Sequence, residues 1–151
     1  MSDSSKRTKR NLEALEGDLA SNRLHHALLL QGKNLSALEK GAIHLTRKIL
    51  GAKEETEEHP DLFHLRPSGK ARLITVESTR SLISDLNRSA SQGENKVALL
   101  HEVDRMRREA ANAFLKTLEE PPHGTFILMV TTRPYSLLPT IRSRCLQVRL
   151  D

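Results

Sequence analysis

Two short stretches hold residues at spacings where phosphate and metal chemistry could sit. Gly32 follows an apolar run at residues 26–31. In a doubly wound sheet, ligands bind at the carboxyl ends of the strands, so a phosphate-binding loop would begin at this glycine. Read from Gly32 against the pattern G-x-x-x-x-G-K-[ST], the second glycine falls on Ala37, the lysine on Leu38 and the hydroxyl residue on Glu39. Each departure has a physical consequence. Ala37 restricts the backbone where amides must wrap a phosphate. Leu38 removes the cation that reaches the outer phosphates. Glu39 replaces a magnesium-binding hydroxyl with a carboxylate that repels them. Lys33 is near but out of register. Gly32 taken alone reads equally well as an ordinary strand-to-helix turn.

The second stretch closes the apolar run at residues 96–101. Strands of this kind end in Asp-Glu, the aspartate holding magnesium and the glutamate activating water. Here the pair is His101-Glu102. Histidine suits a hard, oxygen-seeking cation poorly. Two halves of one expected site are thus altered together, which favours a site that binds no nucleotide. The plainer reading of His101 is a hydrogen-bonded core histidine. His25, His26, His59 and His64 have no recognised metal spacing, and no metal or cofactor is expected.

The elements that would position these residues follow from hydropathy patterning. Leu12, Leu15 and Leu19 lie at helical spacing within residues 11–19. Residues 36–50 form an amphipathic helix, with Ser36 as N-cap and Glu39 at capping-box spacing. Thr75 caps a helix running to about residue 88. Residues 108–119 form a helix stopped by Pro121-Pro122. Residues 135–141 form a short helical patch broken by Pro139. Residues 26–31, 96–101 and 125–131 are continuous apolar runs, the mark of strands buried on both faces. Shorter strands are expected at 61–66 and 146–150. Helix and strand alternate, so the fold class is α/β, a parallel sheet with helices on both faces.

Size and composition bound the rest. The 151 residues are one domain's worth. Residues 1–10 read as a flexible polar leader and 11–151 as a single module. No apolar run approaches the ~18 residues of a membrane span, and the polar start is no secretory signal, so a cytoplasmic location is expected. The lone Cys145 excludes an internal disulfide and a multi-cysteine zinc site. Net charge is +5, which suits a partner that handles nucleic acid. A stand-alone DNA-binding module is the weakest reading, since the cations are scattered or near the start. Aromatics at 3% leave no base-stacking platform.

Several segments carry a family likeness. Asn112-Ala113-Phe114-Leu115-Lys116-Thr117-Leu118-Glu119-Glu120-Pro121-Pro122 resembles the N-A-x-L-K-x-L-E-E-P-P signature of bacterial clamp-loader subunits. Ser143-Arg144-Cys145 is similar to their S-R-C motif, and His59-Pro60-Asp61 to the segment opening the second strand of delta-prime subunits. The likeness runs from about Arg23 to Leu150. The altered residues 32–39 and 101–102 favour delta-prime over the gamma/tau motor subunits. The resemblance implies an AAA+ fold of the P-loop type, a three-layer sandwich with five parallel strands in the order 5-1-4-3-2. It implies that Arg144 reaches the ATP of a neighbouring motor subunit as an arginine finger, and that Thr131 or Thr132 stands at a sensor position. The implied partners are gamma/tau and delta subunits, and through them the sliding clamp and primer-template DNA. The runner-up reading is a divergent active ATPase of the gamma/tau type, using Lys33 and Glu102. The family's four-cysteine zinc module has no counterpart in residues 51–58. Ending at Asp151, the chain reads as a truncated piece lacking lid and collar domains.

Overall fold

A computed structural model describes residues 3–151. Five strands form one sheet: β1 (Ala27–Gln31), β2 (Leu62–Leu65), β3 (Lys96–Leu100), β4 (Thr125–Thr131) and β5 (Leu146–Arg149). All neighbouring pairs are parallel and the order is β2-β3-β4-β1-β5, the expected order read from the other edge. The helices are α1 (Asp3–Ala20), α2 (Leu35–Leu50), α3 (Val76–Leu86), α4 (Arg108–Glu119) and the short α5 (Pro139–Arg142). With helices on both faces, this is the α/β, AAA+-type sandwich.

The apolar strands divide their side chains between two cores, because successive residues of a strand point to opposite faces. Ala27, Leu29, Ala98, Leu100, Ile127 and Met129 pack with Phe114 and Leu118 of α4 and Leu82 and Leu86 of α3. Leu28, Leu30, Val97, Leu99, Leu128 and Val130 pack with Leu38, Ala42 and Leu45 of α2 and Leu15 of α1. Every residue of β3 is buried, as strands covered on both faces require.

The structure departs from the sequence reading at three boundaries. Helix α1 begins at Asp3, so residues 3–10 are helical where a polar leader was expected; Met1 and Ser2 lie outside the described residues. The extension touches the far end of the chain: Arg7 Nη1 donates to the Asp151 carbonyl at 3.0 Å, and Asn11 Nδ2 to the Arg149 carbonyl at 2.6 Å. The N-cap of α2 is Asn34, not Ser36: its Oδ1 accepts from the Ala37 amide at 3.1 Å, and its backbone is extended. The patch at 135–141 is two pieces, a 3-10 turn at Pro134–Ser136 and then α5, each opened by a proline that has no amide to satisfy. Thr75 does cap α3, accepting from the Ser78 amide at 3.1 Å.

One turn position admits only glycine. Gly124, entering β4, has φ +74°, and a Cβ there would stand 2.2 Å from the Glu94 carbonyl oxygen. Among the described residues no helix is long and apolar enough to cross a membrane.

Candidate functional site at the strand ends

The loop from β1 into α2 and the end of β3 meet at the carboxyl edge of the sheet. Every loop position singled out in the sequence has a structural occupation there. A Cβ on Gly32 would meet the Asp151 carboxylate at 3.1 Å and Leu38 Cδ2 at 3.3 Å, so the close approach explains the glycine. The Lys33 amide donates to Asp151 Oδ2 at 2.5 Å, and that carboxylate also accepts from Arg149 Nε at 2.8 Å. These donors hold the Asp151 carboxyl below the usual carboxylate range against its desolvation, which pushes the other way. The Ala37 amide is taken by Asn34. Leu38 is fully buried in the core between α2 and the sheet, a burial that contributes about 1.5–3 kcal/mol.

Glu39 and His101 bind each other. His101 Nδ1 lies 2.5 Å from Glu39 Oε2, and His101 Nε2 lies 2.8 Å from His64 Nδ1. His64 Nε2 in turn lies 2.6 Å from the Glu57 carbonyl. The two imidazoles stack, with centroids 5.1 Å apart. The two residues that the sequence reading sets at the hydroxyl and aspartate positions of a nucleotide site therefore occupy one another. His101 is nearly covered, its side chain 6% exposed. Burial lowers its pKa; the Glu39 carboxylate opposes this, while Arg66 and His64 add to it. The three links Glu39–His101–His64–Glu57 need three hydrogens. An ionised carboxylate and two neutral imidazoles bring two, so two of the three links are closed when both rings are neutral.

Glu102, next in line, has φ 47° and ψ 56°, left-handed for a residue with a side chain. Its carboxylate accepts from Arg72 Nη2 at 2.7 Å. Thr131 is fully buried at the end of β4, donating to Asp104 Oδ1 at 2.6 Å and accepting from the Arg133 amide at 2.9 Å. Lys33 is exposed. A cavity of 370 Å³ opens beside it at the ends of β1, β4 and β5, lined by Gln31, Lys33, Thr132, Arg133 and Arg149 among others. Gln31 Oε1 is buried there without a hydrogen-bond partner among the described residues.

Arg144 lies apart from this site, just before the edge strand β5. Its Nε donates to Glu119 Oε1 at 2.6 Å and its Nη1 to the Thr140 carbonyl at 2.7 Å. Ser143 Oγ donates to the Thr140 carbonyl at 3.3 Å. Cys145 has its thiol pushed up to about 11 by burial and directs it at the carbonyls of Ile141 and Arg142. Cys145 is thus a packing residue, whereas the Arg144 side chain keeps 29% exposure.

Among the partners that sequence reasoning missed are Asn34, His64 and Glu119. Only His64 had a legible signal, a second histidine near the end of a neighbouring strand. The His59-Pro60-Asp61 segment is structural: buried Asp61 accepts from the Ser91 amide at 2.6 Å and the Gln92 amide at 2.8 Å. Lys96, buried beside it, donates Nζ to the carbonyls of Leu86 and Arg88 at the end of α3. Among the described residues no cluster of histidine, cysteine and carboxylate side chains could hold a metal ion.

The family model described as DNA polymerase III, delta subunit, matches residues 7–151. The chain is 44% identical over 89 residues to the DNA polymerase III subunit delta' of Pseudomonas aeruginosa, covering 59% of this chain and 27% of that one. It is 36% identical over 151 residues to the subunit tau/gamma of Haemophilus influenzae, covering 92% of this chain and 22% of that one. It superposes with a TM-score of 0.80 and 31% identity on a gamma subunit-related protein of Thermotoga maritima, covering 93% of this chain and 46% of that one. The chain spans less than half the length of these relatives. A match over all but the first six residues, on a parallel sheet of this order, shows that the chain belongs to the DNA polymerase III delta-subunit family.

Proposed function

We propose that this chain is the ATPase-fold domain of a delta-prime-like subunit of the DNA polymerase III clamp loader, and that it binds no nucleotide of its own. The observation that carries this is the Glu39–His101 bond: the two positions that should share a magnesium ion are spent on each other. Buried Leu38 offers no cation to a phosphate. The subunit acts as a stator, docking on a gamma/tau subunit and contacting delta, with the sliding clamp and primer-template DNA reached through them, in the cytoplasm.

Its chemical contribution is Arg144 in trans. A guanidinium placed against the γ-phosphate of a neighbour's ATP stabilises the charge that grows on the transferred phosphoryl group, and such a residue contributes about 10³-fold or more in rate. In support, Arg144 lies just before the edge strand β5 with part of its side chain exposed, away from the chain's own loop. In the assembled loader, Arg144→Ala is expected to lower ATP turnover at one motor site and slow clamp loading. Unchanged turnover and loading would remove the finger from the account.

A second reading, a divergent ATPase of the gamma/tau type, is favoured by the tau/gamma likeness and by the cavity beside Lys33 with the unpartnered Gln31 oxygen. It requires Glu102 to leave Arg72 and activate water, and it predicts micromolar Mg-ATP binding by the subunit alone.

A further inference from the structure

We infer that Glu119 is the residue that positions Arg144 for its neighbour. This rests on the trans-acting reading of Arg144. A flexible arginine pays for its reach in lost rotamer freedom, so a finger that must meet a phosphate is more effective when its plane is set beforehand. Two elements set it here. Glu119, the last residue of α4, holds Nε at 2.6 Å, and the carbonyl of Thr140 in α5 holds Nη1 at 2.7 Å. The Nη1 contact to Ser143 Oγ is longer, at 3.4 Å. Nη2 has no hydrogen-bond partner among the described residues. The guanidinium is therefore held at two of its three nitrogens and offers the third, and a planar group held this way presents its free donors in a fixed direction.

The grip comes from elements that are themselves anchored. Phe114 and Leu118 of α4 and Ile141 of α5 lie in the same buried core. The α4 turn carrying Glu119 ends against Pro121-Pro122, which prevents the helix from extending and shifting the carboxylate. Groups placed by packed helices hold geometry better than groups on free loops. Glu119 is half exposed and packs no core, with 52% side-chain exposure. Among the described residues its carboxylate bonds to Arg144 alone. The carboxylate also keeps Arg144 directed while no phosphate is present.

The test uses the full-length protein assembled with its ATPase and delta partners, reading steady-state ATP hydrolysis in the presence of clamp and primed DNA. Glu119→Ala is expected to lower kcat by about 10- to 100-fold, the cost of a catalytic group displaced by about an ångström, with KM for ATP and assembly unchanged. Glu119→Gln keeps an oxygen that accepts from Nε and is expected to restore most of the rate. Glu119→Ala added to Arg144→Ala is expected to cost nothing further, since the two act as one unit. A full-rate Glu119→Ala beside an impaired Arg144→Ala overturns the positioning role and leaves the finger standing. An additive loss in the double variant, or a faster Glu119→Ala, overturns it equally. A silent Arg144→Ala overturns the finger and the positioning role together.

Discussion

Removing the Glu39 carboxylate should expose how much the filled site is worth. In Glu39→Ala the buried His101 Nδ1 loses its acceptor at 2.5 Å, while His64 on the other side remains. An unsatisfied buried donor costs about 1–3 kcal/mol. Glu39 is itself about one-third exposed at 35%, against 6% for His101, so water can reach the vacated acceptor position from one side. The lower part of that range, about 1–2 kcal/mol, is therefore expected. For a domain of this size that corresponds to a fall in Tm of about 2–8 °C. Glu39→Gln keeps an acceptor oxygen and should lose less than half as much. The assay is thermal unfolding of the chain near pH 7.5, followed by circular dichroism, with the two variants beside the wild type. An unchanged Tm in Glu39→Ala would refute the reasoning, for it would mean that the bond to His101 contributes nothing net.

Stability should also respond to pH on both sides of neutrality, and urea midpoints across pH 5–9 check both limbs. His44 of α2 is ion-paired with Glu55 and with Glu16 of α1, and these bonds raise its pKa above its ordinary value of 6.5. Its contribution is present below pH 6.5 and fades as pH climbs through the raised value; His44→Asn should flatten that limb. His101 behaves oppositely. Burial lowers its pKa, so the unfolded chain takes the proton first, and stability falls as pH drops below about 6.5. Replacement of His101 by Asn should remove that part of the acid limb.

The strands were legible because β1, β3 and β4 are buried on both faces and so read as unbroken apolar runs. The bounds of α4 were legible because Pro121-Pro122 can neither donate an amide nor sit inside a helix. Asn34 and Ser36 are both residue types that cap helices, and the choice is made by the extended backbone at Asn34, which only the folded loop reveals. The start of α1 was hidden because residues 3–10 carry no apolar spacing; the helix continues there on hydrogen bonds from Arg7 and Asn11 to the end of the chain. In the site, Gly32, Ala37, Leu38, Glu39, His101 and Glu102 could each be named from a pattern. That Glu39 and His101 bind each other depends on how α2 lies over β3, and His64 joins them through parallel pairing of β2 with β3. Glu119 meets Arg144 across 25 positions of sequence through the packing of α4 against α5. No local spacing carries that contact.

Calorimetric titration of the folded full-length subunit, alone, with Mg-ATP decides whether this chain holds a nucleotide of its own. No binding heat is expected up to about 1 mM, the upper end of ordinary substrate affinities, because Glu39 and His101 hold each other and Leu38 is sunk in the core. Saturable binding at micromolar concentration would contradict it, and would make Lys33 and the cavity at the ends of β1 and β4 the place to look for the nucleotide.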